Sequence, residues 1–340
     1  MKTPPMKLSE TQLASPVAVT SLPAERKRIG RLPASGASTA AVLLVAVAVL
    51  TIILQPSAAS SSGVGLLLGP TLPVVFASLA QMFIVLVGDF DLSVGYAIGL
   101  VNVFSATVLT TDIWLGVVVL FAMVLAYVAM GAIVELVHVP AIVITLGASF
   151  IWLGVGLTVQ PTPGGISPTW LLQVTNATWP VLPEAVYILL AGAAISWWIV
   201  KRWRLGMVLR GLGNNRGALE SSGWSVMRTR LSAYALAGTL VVIAGLLTTS
   251  VTTSADINAN STLTLTTFVV IIIGGCQFKG GIVEPVGVVA AAVAISLLAS
   301  VLAFLNVAAA WNTAVEGIVL VAVLSMKWAV HQFGRFTRRL

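Results

Sequence analysis

Charge is the scarcest property of this 340-residue sequence: Asp, Glu, Lys and Arg make up 9% of it, against 58% hydrophobic residues. A soluble domain of average usage carries about 25% charged residues. An aqueous core could not absorb so much apolar sequence without leaving large exposed patches, whereas a bilayer can, because lipid replaces water around the outward faces. Cysteine is represented by Cys276 alone, which excludes an intramolecular disulfide framework. Its apolar, Gly-rich surroundings suit packing rather than reactivity. The two histidines, His138 and His331, are far apart in sequence, and no residue cluster has metal-ligand spacing. There is no Walker A sequence, so the chain has no P-loop of its own for ATP. Nothing resembles a catalytic constellation, and the expected class is a non-enzyme without a cofactor or metal of its own.

The charge that is present is unevenly placed. Net charge is +7, and a basic balance raises nucleic acid as a partner. The distribution argues otherwise, since seventeen of the eighteen Lys and Arg residues fall in three segments. Six lie at or before Arg31, seven between Lys201 and Arg230, and four from Lys327 onward, leaving Lys279 as the exception. The positive-inside rule reads these clusters as cytoplasmic and in contact with the membrane surface.

Read with a ruler of ~20 apolar residues per span, the sequence predicts ten helices, at 38–55, 66–87, 93–111, 113–136, 140–160, 184–200, 229–250, 264–276, 283–304 and 308–326. Pro140 sits near the first turn of the fifth. The eighth is short. Alternating from an inner N-terminus places all three basic clusters on one side, so the expected fold is all-α and polytopic with both termini cytoplasmic. Residues 1–37 are expected to form a cytoplasmic tail, 38–326 the transmembrane domain with a basic cytoplasmic loop at 201–228, and 327–340 a second tail. Residues 161–183 and 251–263 are expected to be external loops. Five spans on each side of 161–183 permit an inverted 5+5 repeat.

Two Gly-rich interruptions join apolar segments with almost no loop. One runs from Gly88 through Asp89, Asp91 and Ser93 to Gly95; the other comprises Gly274, Gly275, Cys276, Gln277, Phe278, Lys279, Gly280 and Gly281. The spacing leaves open whether they are broken helices near a pathway or tight cytoplasmic hairpins. Both fall on the cytoplasmic side, which argues against using them as equivalent markers of an inverted repeat. Asp89 and Asp91 are the only paired carboxylates; Asp91 is placed to cap the third helix. An ion-coupled secondary transporter would use Asp89, Asp91 and Glu316. As substrate-pathway candidates, Glu316 is an ionisable residue inside a span, joined by Asn102, Thr145, Trp152, Asn306 and Asn312, for which interhelical packing is the competing use.

The stretch GDFDLSVGYAIGLVNVFSA at 88–106 resembles the GGIDLSVG signature of permease subunits in the ribose-type ABC importers, the second carbohydrate-uptake class. Residues 137–157, 205–226 and 271–295 resemble three further motifs of that family in collinear order. The resemblance implies a bacterial inner-membrane permease that imports a monosaccharide or related polyol by alternating access. Branched-chain amino acids and nucleosides are the alternative cargo. It implies a second permease subunit, in a homo- or heterodimer, an extracytoplasmic solute-binding protein, and an ATPase subunit that carries ATP and Mg. It also implies that a short helix at 214–223 docks on that ATPase. Asn214 or Asn215 would cap this helix, Gly223 would end it, Ala218 and Leu219 would offer an apolar contact, and Arg216 and Glu220 would pair. The chain departs from the family at Asp89 and Phe90, and at Lys279, which suggests that Lys279 neutralises Asp89.

Overall fold

The computed structural model describes residues 36–175 and 182–336. The expected tail 1–37 therefore lies almost wholly outside the described residues, as do residues 176–181 of the expected external loop and 337–340 at the C-terminus. Among the described residues there are fourteen α-helices, beginning with α1 (Gly36–Leu54), α2 (Ser61–Leu68), α3 (Thr71–Leu86), α4 (Val94–Thr111), α5 (Ile113–Val137), α6 (Ala141–Val159) and α7 (Thr169–Thr175). The remainder are α8 (Glu184–Lys201), α9 (Arg204–Asn214), α10 (Arg216–Ser221), α11 (Val226–Thr252), α12 (Leu263–Ile273), α13 (Pro285–Phe304) and α14 (Asn312–Phe336). No strand forms among the described residues; a single bridge joins Gly164 to Ala255.

Each of the ten expected apolar segments holds a helix. Among the described residues, seven helices are long and apolar enough to cross a membrane, and α2 with α3, bent by 46°, makes an eighth if the pair is one span. The chain is thus an all-helical, polytopic membrane protein. The basic segment 201–228 is not a bare loop, since it contains α9 and α10. Helix α14 runs on through residues 327–336 of the expected C-terminal tail; no proline interrupts them.

Helices α2, α5, α10 and α11 start at a side-chain cap, whereas α3, α4, α6, α8, α9, α12 and α13 do not. The Asp112 carboxylate accepts from the backbone N–H of Trp114 and Leu115 at 2.9 and 3.1 Å and opens α5. The Ser225 hydroxyl does the same for α11 through the Arg228 amide. Each satisfies donors that a helix N-terminus leaves unpaired. Helix α3 is apolar all round and buried along nearly its whole length, with α8, α11, α12 and α13 packed on it. Helices α1 and α6 keep most of their apolar surface exposed, as lipid-facing helices do. Close packing depends on small residues. A Cβ built at Gly131 of α5 would meet the ring of Tyr234 at 2.8 Å, and one at Gly238 of α11 would meet Tyr127 at 2.8 Å. The two helices thus exchange a tyrosine for a glycine in both directions.

Part of the expected external loop at 251–263 packs inside the protein. Gly95, in the first turn of α4, lies against Asn260 and Thr264, and Gly99 lies against Ile257. Asn102 donates to Thr249 Oγ1 and the Ser254 carbonyl and accepts from the Asp256 amide. The segment from Ser254 to Thr264 therefore runs antiparallel to α4, descending over two of its turns, about 10 Å. Ala255, Ile257 and Asn260 are buried. Ile257 fits because α4 and α6 present glycines to it, Gly99 and Gly156. Thr252, Thr253, Asn258, Ser261 and Thr262 are exposed, as their polar composition predicts, while Asn102 satisfies non-helical backbone of the segment inside the protein. This also explains the shortness of α12, which is helical only for the remainder of its passage.

At Gly280, φ is +84° and a Cβ would lie 2.9 Å from both the Gly213 Cα and the Gly88 nitrogen. The left-handed conformation alone costs a non-glycine residue roughly 1–2 kcal/mol, and the backbone contacts add to it. Gly280→Ala is expected to lower the thermal midpoint of the detergent-solubilised protein clearly, while Gly154→Ala, where a Cβ meets nothing within 4 Å, leaves it unchanged. Differential scanning fluorimetry with a thiol-reactive or intrinsic tryptophan readout measures both.

Candidate functional site

The two Gly-rich interruptions, far apart in sequence, meet in space. The Gly281 amide donates to the Leu86 carbonyl at 2.9 Å, and Gly280 touches the backbone of Gly88 and of Gly213. Gly213, at the end of α9, packs on Leu86 and Gly281, and the Asn214 side chain lies against Gly281. Backbone approaches backbone here with no room for a Cβ. Gly88, Gly275, Gly280 and Gly281 all have φ between +76° and +96°, a region open to glycine at little cost. Gly274 abuts the start of α13 at Gly287 and Val288. Phe90, Phe268 and Phe278 cluster beside the junction, with the Phe90 and Phe278 ring centroids 5.3 Å apart.

The 88–93 interruption is held by side chains from three helices. Thr145 of α6 accepts from the Leu92 amide at 3.1 Å and donates to the Phe90 carbonyl at 3.2 Å. Thr264, at the start of α12, accepts from the Gly95 amide at 3.0 Å. Asp91 accepts from the amide and hydroxyl of Ser93 at 2.7 and 2.6 Å, and from the Tyr127 hydroxyl of α5 at 2.9 Å. Asp91 therefore does not cap α4 in the expected sense. The helix starts at Val94, and the carboxylate forms a tight turn onto Ser93, the residue before it.

Asp89 begins a chain of charges. Its Oδ2 lies 3.2 Å from Arg230 Nε of α11 and accepts from the Tyr234 hydroxyl at 3.3 Å. Arg230 Nε–H points at no acceptor, so its contact with Asp89 is Coulombic rather than a directed hydrogen bond. Arg230 Nη1 lies 3.1 Å from Glu135 Oε2 at the end of α5. Glu135 also takes both terminal nitrogens of Arg216, at 2.7 and 3.3 Å, in a bidentate pair. Arg216 Nε reaches Glu220 at 3.1 Å. Asp89, Arg230 and Glu135 are nearly buried, with side chains 9–12% exposed, whereas Arg216 and Glu220 are 44% and 52% exposed. The chain of charges thus runs from the interior out to α10.

Helix α10 is short and surface-placed. The Asn215 side chain accepts from the Ala218 amide at 3.1 Å and opens it, and Gly223 follows it with φ +81°. Of the two expected cap residues it is Asn215 that caps; Asn214 turns to the Gly junction. Of the two expected apolar contacts, Ala218 is exposed, whereas Leu219 is buried and packs back toward α9 at Gly211. Trp224, just beyond, is 51% exposed.

Lys279 is corrected. Its side chain is exposed and makes no ion pair among the described residues; Arg230 occupies the position at Asp89. The pathway candidates separate. Asn102 and Thr145 bond the irregular backbone, and the half-buried Trp152 has an indole N–H without a partner. Asn306 ends α13 with φ +57°, and Asn312 opens α14. Glu316 accepts from Thr266 of α12 at 2.9 Å. Sequence reading missed Glu135, Tyr127, Tyr234, Gly213 and Thr264. Glu135 carried a signal, as a carboxylate inside an expected span.

Removing one partner from a buried ion pair costs roughly 3–5 kcal/mol. Arg230→Ala is expected to destabilise the protein by about that amount, and Lys279→Ala by no more than ~0.5 kcal/mol. Unfolding of the purified protein in mixed micelles under increasing denaturing detergent measures the difference.

Comparison with known proteins follows the same ground. The ribose import permease protein RbsC of Haemophilus influenzae is 27% identical over 293 residues, covering 83% of this chain and 90% of that protein. The autoinducer 2 import system permease protein LsrC of Enterobacter sp. strain 638 is 26% identical, covering 82% of each. The L-arabinose transport system permease protein AraH of Escherichia coli K12 is 27% identical, covering 72% of this chain and 76% of that protein. No solved structure shows a significant match. The model of one family, described as the permease component of the branched-chain amino acid transport system, matches residues 63–324, which include both interruptions, the buried charges and α10. The chain belongs to that permease family.

Proposed function

We propose that this chain is the ten-span permease subunit of an ATP-driven importer in a bacterial inner membrane, carrying a monosaccharide or related polyol, with both termini cytoplasmic. The observation that carries the reading is α10. It is a short, capped, largely exposed helix in the basic segment, tied by ion pairs to a chain break inside the helical domain. A partner that moves α10 has a physical route to the interior. The ATPase is that partner, supplying ATP and Mg. The extracytoplasmic binding protein delivers the solute, and a second permease subunit completes the pathway. The cargo class follows the relatives, whose names give ribose, arabinose and autoinducer 2; the name of the family model is the argument for branched-chain amino acids.

Ten spans follow if α2 with α3 forms one, α12 with its unwound lead-in another, and the apolar part of α14, Asn312–Val323, a third. The 5+5 repeat has support in packing. Helix α11 packs on α3, α4 and α5, while α3 packs on α11, α12 and α13. Helix α4 contacts α5 and α6, as α12 contacts α13 and α14. The turn that precedes α4 has a counterpart before α12: Asp91 accepts from the Ser93 amide at 2.7 Å, and Asp256 from the Asn258 amide at 2.9 Å. In the proposed topology these two turns approach from opposite sides, as an inverted repeat requires. The ion-coupled reading is weaker, because Asp89 and Asp91 are committed to internal partners.

Proteoliposomes with the permease, its ATPase and its binding protein test the proposal. Uptake of labelled ribose or arabinose is expected only with ATP and all three components. Uptake driven by an imposed proton gradient without the ATPase would overturn it. Cysteines placed at Ser221 and Ser222, on a Cys276→Ser background, are expected to crosslink to the ATPase.

A further inference from the structure

We infer that Glu135 is a positioning residue that joins the motion of α10 to the 88–93 interruption, acting as the shared carboxylate between Arg216 and Arg230. The inference rests on the importer reading and goes beyond it by assigning the transmission path within the permease.

The geometry is specific. One carboxylate holds two guanidinium groups from different elements, Arg216 of α10 in a bidentate pair and Arg230 of α11 through one nitrogen. Arg230 continues to Asp89, which adjoins Gly88, and Gly88 touches Gly280 of the second interruption. The path crosses three helices by polar contact alone. Apolar packing slides at small cost, but Glu135 is nearly buried, and parting it from its guanidinium partners leaves its carboxylate poorly solvated, so the half-exposed bidentate pair with Arg216 resists separation from the Glu135 side. Motion of Arg216 therefore draws on Glu135 and Arg230 before it parts them. The interruption is a suitable receiver. Its backbone is not locked into a helical ladder but held by a few side-chain bonds, two from Thr145 and one from Asp91, with Thr264 bonding the Gly95 amide just beyond it. It also carries Phe90, whose ring meets Phe278 of the second interruption, so displacement of one reaches the other.

Only Arg216 and Glu220 of the chain of charges lie in the segment assigned to the ATPase. Glu135 is nearly buried on α5, so a Glu135→Gln change alters no residue on the surface of α10. This separates docking from transmission.

Cys276, the single cysteine, lies in the second interruption and reports on it without engineering. The assembled transporter is treated with a maleimide in nucleotide-free and vanadate-trapped states, and labelling of the Cys276 peptide is read by mass spectrometry. The wild type is expected to change its labelling rate by at least ~5-fold between states, the lower range of typical allosteric coupling. Glu135→Gln is expected to copurify with the ATPase and to lose that change. Arg216→Gln, which removes the guanidinium from the α10 side of the same pair, is expected to lose it too. The double variant should be no worse than either single variant, the mark of one shared path. A Glu135→Gln protein that is less stable yet keeps the labelling change overturns the inference, as does additive loss in the double variant or a wild type without any change. A wild type that neither binds an ATPase nor takes up solute with ATP would overturn the importer reading instead.

Discussion

A peptide group that leaves a helix inside an apolar medium has no water to bond, and this requirement organises the whole molecule. The chain leaves regular helix at 88–93, at 253–262 and at 274–284. Each departure is met by a dedicated answer. Thr145 and Thr264 bond the first, Asn102 the second, and the Leu86 carbonyl receives the third. Glycines supply the other half, by letting backbones approach until carbonyl and amide are within reach of each other. The polar side chains within the helices therefore serve the backbone as much as any cargo.

The same scarcity of solvent shapes the electrostatics. A charge near the core needs a partner, and Asp89, Arg230 and Glu135 are partners to one another. Arg216 extends the set to the surface, where its further pair with Glu220 adds little, about 0.3–0.5 kcal/mol for an exposed pair of this spacing. The buried members fix how α5 and α11 stand relative to the interruption. The tyrosine and glycine exchange between these helices brings a phenol hydroxyl to each aspartate.

Much of this was legible in the sequence, and the reasons for the gaps are physical. Apolar runs set the helices, because span length and composition are local properties. The interruptions were visible as glycine clusters, and α10 as a cap with an i,i+4 pair. That the interruptions meet each other and Gly213 was not visible, since contact between distant backbones leaves no trace beyond glycine itself. Arg230 was counted as a charge that sets orientation, whereas its position one turn inside α11 gave it a buried partner. The link of Lys279 to Asp89 rests only on both being departures from the family motifs, and Lys279 is exposed while Arg230 stands at Asp89. The packing of 255–260 against α4 leaves little trace in composition, because the Thr, Ser and Asn residues of 251–263 are mostly exposed and the contact rests on Gly95, Gly99 and Asn102.

The junction of Leu86, Gly88, Gly213 and Gly281 has a bearing on synthesis. A ribosome delivers residue 86 long before residue 281, and Asp89 long before Arg230. During that interval the first five helices stand in the membrane with an unmet carbonyl and an uncompensated carboxylate. The early half is therefore an open clasp, closed only when the late half arrives, and a chain stalled midway displays that open clasp to whatever quality control surveys the membrane.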